Sequence, residues 1–308
     1  MISAIFPAYN EEENVAELHE RLVSVLKAVG EPFEIIAIEN ASTDSTLEKL
    51  KRLAPITIIS FAYNIGQTAA LDAGIQAAKG DMIVVMDADL QNDPADIPKL
   101  INKMKEGYDV VVGWRRDRQD PLGRRIFSTL ANKFTRWVAG LGIHDYGCAL
   151  RAFKTEYLKD IRLYGVMHVF IPVILASRGA KVAEVIVRHH EREKGISKYT
   201  FTHMITDVAD LLTIKFLYTY AARPLVFFGS WALISFAGAF FAGLVAVWFK
   251  IYTPLGFSQT PLPIIATLFT VLSLLLFMLG FITEILIRIY YETRSATPYR
   301  IRDIIENK

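Results

Sequence analysis

Two aspartates one residue apart, Asp87 and Asp89, close an apolar run in Ile83-Val84-Val85-Met86-Asp87-Ala88-Asp89-Leu90-Gln91. The run reads as a buried strand of a parallel sheet, and ionised carboxylates at the end of such a strand need a partner. Asp87, Asp89 and Gln91 offer hard oxygen ligands, the type that suits Mg2+ or Mn2+ over soft metals. A hard cation held by so few carboxylates completes its shell with water and phosphate oxygens, which points to a diphosphate cargo. The same residues also make good turn chemistry at a strand end.

The elements that must position this cluster alternate along the first half of the chain. Strand-like runs cover residues 2–8, 33–38, 56–61, 82–86 and 109–112. Between them, helices are predicted over 11–29, from Ser42/Thr43 onward, over 67–78 up to Gly80, and over 94–105. Val15, Leu18, Leu22, Val25 and Leu26 form the apolar side of the first helix. This order predicts an α/β fold, a Rossmann-like, mostly parallel sheet flanked by helices. Ligands of such sheets sit beyond the carboxyl ends of the strands. Those ends carry Tyr9-Asn10-Glu11, Glu39-Asn40, Tyr63-Asn64, the 87–91 cluster and Arg115-Arg116, so polar groups converge on one rim.

The chain has 308 residues, 52% of them hydrophobic, more than an ordinary soluble domain carries. The excess lies near one end. No charge occurs from Pro224 to Trp248 or from Ile251 to Thr283, and membrane spans are predicted at about 224–249 and 262–286. Lys215, Arg223, Arg288, Arg294, Arg300 and Arg302 flank their outer ends, and Lys250 alone edges the connecting loop. The positive-inside rule puts both termini in the cytoplasm. Met1 leads directly into a strand with no basic leader, so no secretory signal is expected. Apolar helical stretches at 123–141 and 201–220 fit a membrane interface or packing on the sheet. Net charge is +2, and nucleic acid is not an expected partner. The single Cys148 excludes an internal disulfide and reads as a packed thiol. His189 and His190, adjacent on a strand, point to opposite faces and read as structural.

Taken together, the segments Phe6-Pro7-Ala8-Tyr9-Asn10-Glu11-Glu12, Asp87-Ala88-Asp89-Leu90-Gln91, Asp145-Tyr146-Gly147-Cys148-Ala149-Leu150-Arg151 and Glu191-Arg192-Glu193-Lys194-Gly195-Ile196-Ser197-Lys198-Tyr199 resemble glycosyltransferase family 2, with its GT-A fold. Within it the chain is most similar to the polyprenyl-phosphate glycosyltransferases, over nearly its whole length. The resemblance implies a cytoplasmic GT-A catalytic domain over 1–200, an interfacial helix over 201–222, two membrane helices within 223–287 and a cytoplasmic tail over 288–308. Pro7, Tyr9, Glu11, Glu39 and Asp87 would bind the nucleotide diphosphate sugar, with Arg192 and Lys198 closing over its diphosphate. Asp87, Asp89 and Gln91 would hold Mg2+ or Mn2+, making Asp89 part of the catalytic set. The acceptor would be a polyprenyl phosphate bound by Arg115, Arg124 and Ser128, although Arg124 and Arg125 also suit lipid headgroups. Asp145 is either a catalytic group that orients the acceptor or acts as base, or a brace for the loop before Gly147. Trp114 either stacks on sugar or lipid or packs at its strand end. The family often has Asp-Asp-Gly-Ser where this chain has Glu39-Asn40-Ala41-Ser42.

A phosphate oxygen displacing the nucleotide in one step inverts the anomeric centre. UDP-glucose is the first expected donor, with formamido-arabinose and mannose after it. Two spans per chain also fit a homo-oligomer. Other readings are a processive polysaccharide synthase, which usually carries Gln-x-x-Arg-Trp where this chain has Lys133-Phe134-Thr135-Arg136-Trp137, a non-catalytic membrane module that binds nucleotide sugars, and a sugar-lipid flippase.

Overall fold

Strand β1 (Ile2–Ala8) is apolar at nearly every position, as a strand covered on both faces must be. It lies between two parallel neighbours, β2 (Phe33–Glu39) and β4 (Met82–Val85), and β2 in turn pairs with β3 (Thr57–Ser60). The computed structural model describes residues 1–116, 132–133, 135–136, 140–163, 165, 167–190, 216 and 224–294. Among these, β5 (Val110–Trp114), β6 (Arg151–Lys154) and β7 (Val182–Ile186) complete a sheet of order β3-β2-β1-β4-β6-β5-β7. The mostly parallel α/β architecture expected from the sequence is observed. The chain divides into two units, Met1–Lys215 and Phe216–Lys308.

One strand reverses. β6 is antiparallel to both β4 and β5. Its amino end, Arg151, therefore lies beside Val85 and Val112, near the carboxyl ends of its neighbours. The segment leading into it, residues 145–150, is delivered to the same rim as the ends of β1, β2 and β4.

Helices cover the sheet. α1 (Val15–Val29) buries Leu18, Leu22 and Leu26 and stops at Gly30, whose φ of 78° closes the helix. α2 (Thr46–Leu50) is short, and α3 (Gln67–Ala77) and α4 (Ile97–Lys105) follow β3 and β4. α5 (Thr155–Leu158) and α6 (Met167–Ser177) come after β6 and have no counterpart in the sequence reading. α3 approaches the sheet closely at Gly74, where a Cβ would lie 2.6 Å from Ile5 Cγ2 and 2.7 Å from Ile38 Cδ1.

Two expected helices start late. The segment predicted as helical from residue 11 becomes α1 only at Val15, and the one from Ser42/Thr43 becomes α2 only at Thr46. The two loops brace each other instead. The amides of Asn10, Glu11 and Glu12 donate to Ser42 Oγ, Thr46 Oγ1 and Asp44 Oδ2. In return, the amides of Thr43 and Ser45 donate to Asn10 Oδ1 and Glu12 Oε2. Side-chain acceptors satisfying successive amides compete with the first helical turn.

The second unit holds α7 (Pro224–Tyr252) and α8 (Leu262–Arg294), which include the predicted spans. Each exceeds the ~20 residues needed to cross a bilayer. Ala232, Ser235, Ala239, Ala242 and Ala246 form the buried stripe of α7. Small residues let the backbones meet. Ser235 Oγ donates to Phe269 O at 2.9 Å, and Ser273 Oγ to Ala232 O at 2.8 Å. Large side chains such as Leu233, Phe241 and Leu274 are exposed, as lipid-facing residues are. Both helices are long and apolar enough to cross a membrane. The expected interfacial helix at 201–222, apart from Phe216, and the tail beyond 294 lie outside the described residues.

Gly74→Ala is expected to overpack the α3–sheet contact and cost about 1–3 kcal/mol. Thermal unfolding of the detergent-solubilised protein checks this; an unchanged melting temperature would show that α3 does not sit this close.

Candidate active site

The rim is built where strands end, and backbone strain gathers there. Among the described residues, the non-glycine positions with positive φ are Asn10, Ala41 and Leu90, at 54°, 56° and 57°. They follow β1, β2 and β4 respectively. Each costs on the order of 1–2 kcal/mol in this left-handed region. Such strain persists only where surrounding bonds hold it, as the reciprocal bracing of the 10–12 and 42–46 loops does.

On the first side, Pro7, Tyr9 and Glu11 are partly exposed at the mouth of β1. Glu11 Oε2 accepts from Asn14 Nδ2 at 2.7 Å. Glu39, expected to face a base, is 2% exposed. Its Oε1 accepts from the Ser42 amide and its Oε2 from Ser60 Oγ. Asn40 commits its side-chain amide to the loop after β3. Its Nδ2 donates to Asn64 Oδ1 at 3.0 Å, and its Oδ1 accepts from Ile65 N at 3.1 Å.

At the end of β4, Asp87 Oδ1 accepts from Gln67 Nε2 at 2.7 Å. Gln67 is the first residue of α3 and drew no notice in the sequence, where it resembled an ordinary helix start. Asp89 is nearly buried, and its Oδ1 accepts from the Gln91 amide at 3.2 Å across the strained Leu90. Gln91 is partly exposed. Behind it, His190 N donates to Gln91 O, and His189 bridges to Asn92, so the histidine pair braces this turn. Among the described residues, no three or more His, Cys, Asp or Glu side chains gather around one point as metal ligands. The donor set is two carboxylates and an amide, all hard. It suits a divalent ion whose shell is finished by ligand phosphates rather than one caged by protein.

The second side is organised by Asp145. Its carboxylate takes the side edge of Arg115, with Nε to Oδ2 at 2.7 Å and the terminal nitrogen to Oδ1 at 3.0 Å. The pair is almost covered, with side-chain exposures of 11% and 4%. Gly147 makes room for it, since a Cβ there would lie 3.2 Å from the guanidinium. Its amide also donates to Asp145 Oδ1. Arg151, 5% exposed, donates to the carbonyls of Tyr146, Cys148 and His168. Trp114 stacks on His144 at 4.3 Å.

Beneath the rim, Thr68 Oγ1 donates to Gly165 O at 2.5 Å and lies 2.6 Å from His168 Nδ1. The hydroxyl proton is thus committed, and the ring's Nδ1–H is the donor between them. Burial, helped by Arg151, pushes the His168 pKa down to about 3, so the ring stays neutral. Arg124, Ser128, Arg192 and Lys198 lie outside the described residues. Of the expected 123–141 helix, residues 132–133, 135–136 and 140–141 are described: the first four are helical, Gly140 and Leu141 are not, and Arg136 Nε donates to Ile143 O at 3.0 Å.

The sequence model of the family described as glycosyl transferase family 2 matches residues 3–162. The chain belongs to this family. Among the family's curated members, a dodecaprenyl-phosphate galacturonate synthase of Rhizobium johnstonii is 34% identical over 100% of this chain and 94% of its own. An undecaprenyl-phosphate 4-deoxy-4-formamido-L-arabinose transferase of Edwardsiella ictaluri is 32% identical over 99% and 94%. Glucosyl-3-phosphoglycerate synthase of Mycobacterium tuberculosis, solved with Mn2+ and UDP-glucose, superposes with a TM-score of 0.54 at 18% identity, covering 70% of this chain and 78% of its own. Mannosyl-3-phosphoglycerate synthase of Rubrobacter xylanophilus gives 0.54 at 15% identity, covering 70% and 74%. These two likenesses carry the fold, which is GT-A.

Cys148 offers a check on the packing of this family 2 site. The thiol is fully buried, and burial raises its pKa to about 11. At pH 8 only about one thiol in a thousand is then the reactive thiolate. A maleimide at that pH is expected to leave the native protein unlabelled and to label it fully after unfolding. Rapid native labelling would show that the 145–150 segment is not packed as described.

Proposed function

We propose that the chain transfers one sugar from a nucleotide diphosphate sugar, a UDP-sugar, to a polyprenyl phosphate at the cytoplasmic membrane face, inverting the anomeric centre. One observation carries this reading. The similarity to enzymes named for polyprenyl phosphates runs the full chain, membrane hairpin included. A processive synthase would need a conduit for its polymer, and two spans per chain are a poor one.

Pro7, Tyr9 and Glu11 would line the nucleotide side, with Glu39 buried behind them and holding the Ser42 amide and Ser60 Oγ, and Arg192 and Lys198 would support the diphosphate. Asp87, Asp89 and Gln91 would hold Mg2+ or Mn2+, which would offset charge building on the departing nucleotide. Gln67 fixes one oxygen of Asp87 and so aims the other. Arg115, with Arg124 and Ser128, would hold the acceptor phosphate in line with the anomeric carbon. A phosphate monoester has its second pKa near 6 and is largely ionised at neutral pH. It needs orientation more than a base. Asp145, locked in a two-pronged pair with Arg115, serves that orientation.

The test supplies purified protein in detergent with undecaprenyl phosphate, Mn2+ and labelled UDP-linked glucose, galacturonic acid or 4-deoxy-4-formamido-arabinose. One donor is expected to give an organic-extractable product, abolished in Asp89→Ala. Gln67→Ala is expected to raise the Mn2+ needed for half-maximal rate about 10-fold or more. No lipid product with any donor, or a high-molecular-weight polymer, would sink the reading. The wild-type rate is also expected to climb as pH rises through about 6, following the acceptor's own ionisation. The same rise should persist in the residual activity of Asp145→Asn; its disappearance would make Asp145 the base.

A further inference from the structure

Glu184 stands in the middle of β7, an outermost strand of the sheet, paired in register with Val112 of β5. Its side chain is only 13% exposed, and its carboxylate serves three donors. Oε1 accepts from the amide of His144 at 2.6 Å and from the amide of Asp145 at 3.2 Å. Oε2 lies 2.8 Å from His144 Nδ1. Two successive backbone amides aimed at one oxygen form a small anion nest, here filled by the protein's own carboxylate. The His144 ring continues the contact onto Trp114, the residue before Arg115, at 17° from parallel. His144, held by Glu184, and Trp114, stacked on it, are thus the immediate neighbours of Asp145 and Arg115. From the other direction, Arg151 holds the carbonyls of Tyr146 and Cys148. An anion fixes the loop by its amides and a cation by its carbonyls, with Asp145 between them.

We propose that Glu184 is a positioning residue for acceptor binding: by anchoring the His144 and Asp145 amides it sets where Asp145 holds the Arg115 guanidinium. This rests on the reading of Arg115 as a ligand of the acceptor phosphate. The hydrogen bonds of Glu184 run to His144 and Asp145, so its loss is expected to act on the acceptor side.

The experiment compares Glu184→Ala, Glu184→Asp and Glu184→Gln with wild type. Two readouts are taken: steady-state kinetics with each substrate varied, and binding of undecaprenyl phosphate and of UDP to the full-length protein in detergent. Gln keeps an oxygen for both amides, whereas Asp keeps the charge but draws it back from the loop. Ala and Asp are expected to lower kcat/KM for the acceptor about 10- to 100-fold, as a misplacement of about 1 Å does. Donor KM and UDP binding should stay within about twofold, and Gln should restore most of the loss. A purely structural role would lower both substrates' parameters together. Equal losses, no acceptor loss, or no rescue by Gln overturns the proposal. If wild type makes no lipid product, the functional reading falls separately, and the Glu184 assignment is decided by binding: undecaprenyl phosphate weakened in Ala and Asp with UDP unchanged supports it, and any other pattern overturns it.

Discussion

Arg151 begins the one reversed strand of the sheet, is almost without exposure, and directs its hydrogens to main-chain carbonyls on two sides. A buried guanidinium is costly unless its donors are matched. Here burial pushes its pKa down, while Cys148, Asp145 and Asp87 act to raise it. An arginine stays charged regardless. Its positive charge is thus placed within electrostatic reach of the aspartates on both sides of the rim. Because β6 runs against its neighbours, this charge sits at the strand's amino end, where the 145–150 loop also arrives. A parallel strand here would have delivered its carboxyl end to the rim instead.

The proposed donor side is held by different means. Among the described residues, the 10–12 and 42–46 loops are anchored by hydrogen-bonding side chains, each satisfying an amide of the other loop, with Lys49 adding a bond to Glu12 O. The left-handed residues Asn10 and Ala41 sit inside this brace. Leu90 has a comparable setting, with Asp89 capping the Gln91 amide and His190 capping the Gln91 carbonyl. Strain that local bonds hold in this way keeps polar groups aimed without a bulky scaffold.

The elements legible in the sequence were those with local signals. β1, β2 and β4 read from continuous apolar runs, α1 from its periodicity, and the membrane helices from uncharged length. β6 and β7 did not read. β6 is four residues with Arg and Lys at its ends, and only non-local pairing with β4 and β5 makes it a strand. Arg115 and Asp145 were each named from the sequence but for separate duties. Their ion pair spans 30 residues of chain and depends on the reversed strand. Glu39 looked like a ligand-facing acceptor, yet burial and two hydrogen bonds turned it inward. Gln67 and Glu184 gave no signal, since a glutamine opening a helix and a glutamate in an amphipathic strand are ordinary.

Charge balance explains why the proposed reaction needs more than the described cations. A nucleotide diphosphate and an ionised lipid phosphate would meet on a rim already carrying Asp87, Asp89 and Asp145. Arg115 and Arg151 are cations at that rim, and both are engaged with protein groups. At the effective dielectric of a protein surface, two unit charges about 4 Å apart interact by about 4 kcal/mol. Bringing two phosphates together without added positive charge would therefore oppose catalysis by several such terms. In the proposed reaction a divalent ion at the aspartates would lower the opposition on the donor side. On the acceptor side, Arg115 would contribute only as well as Asp145 aims it, so in this reading the carboxylate serves as the price of a correctly oriented cation and not as a general base.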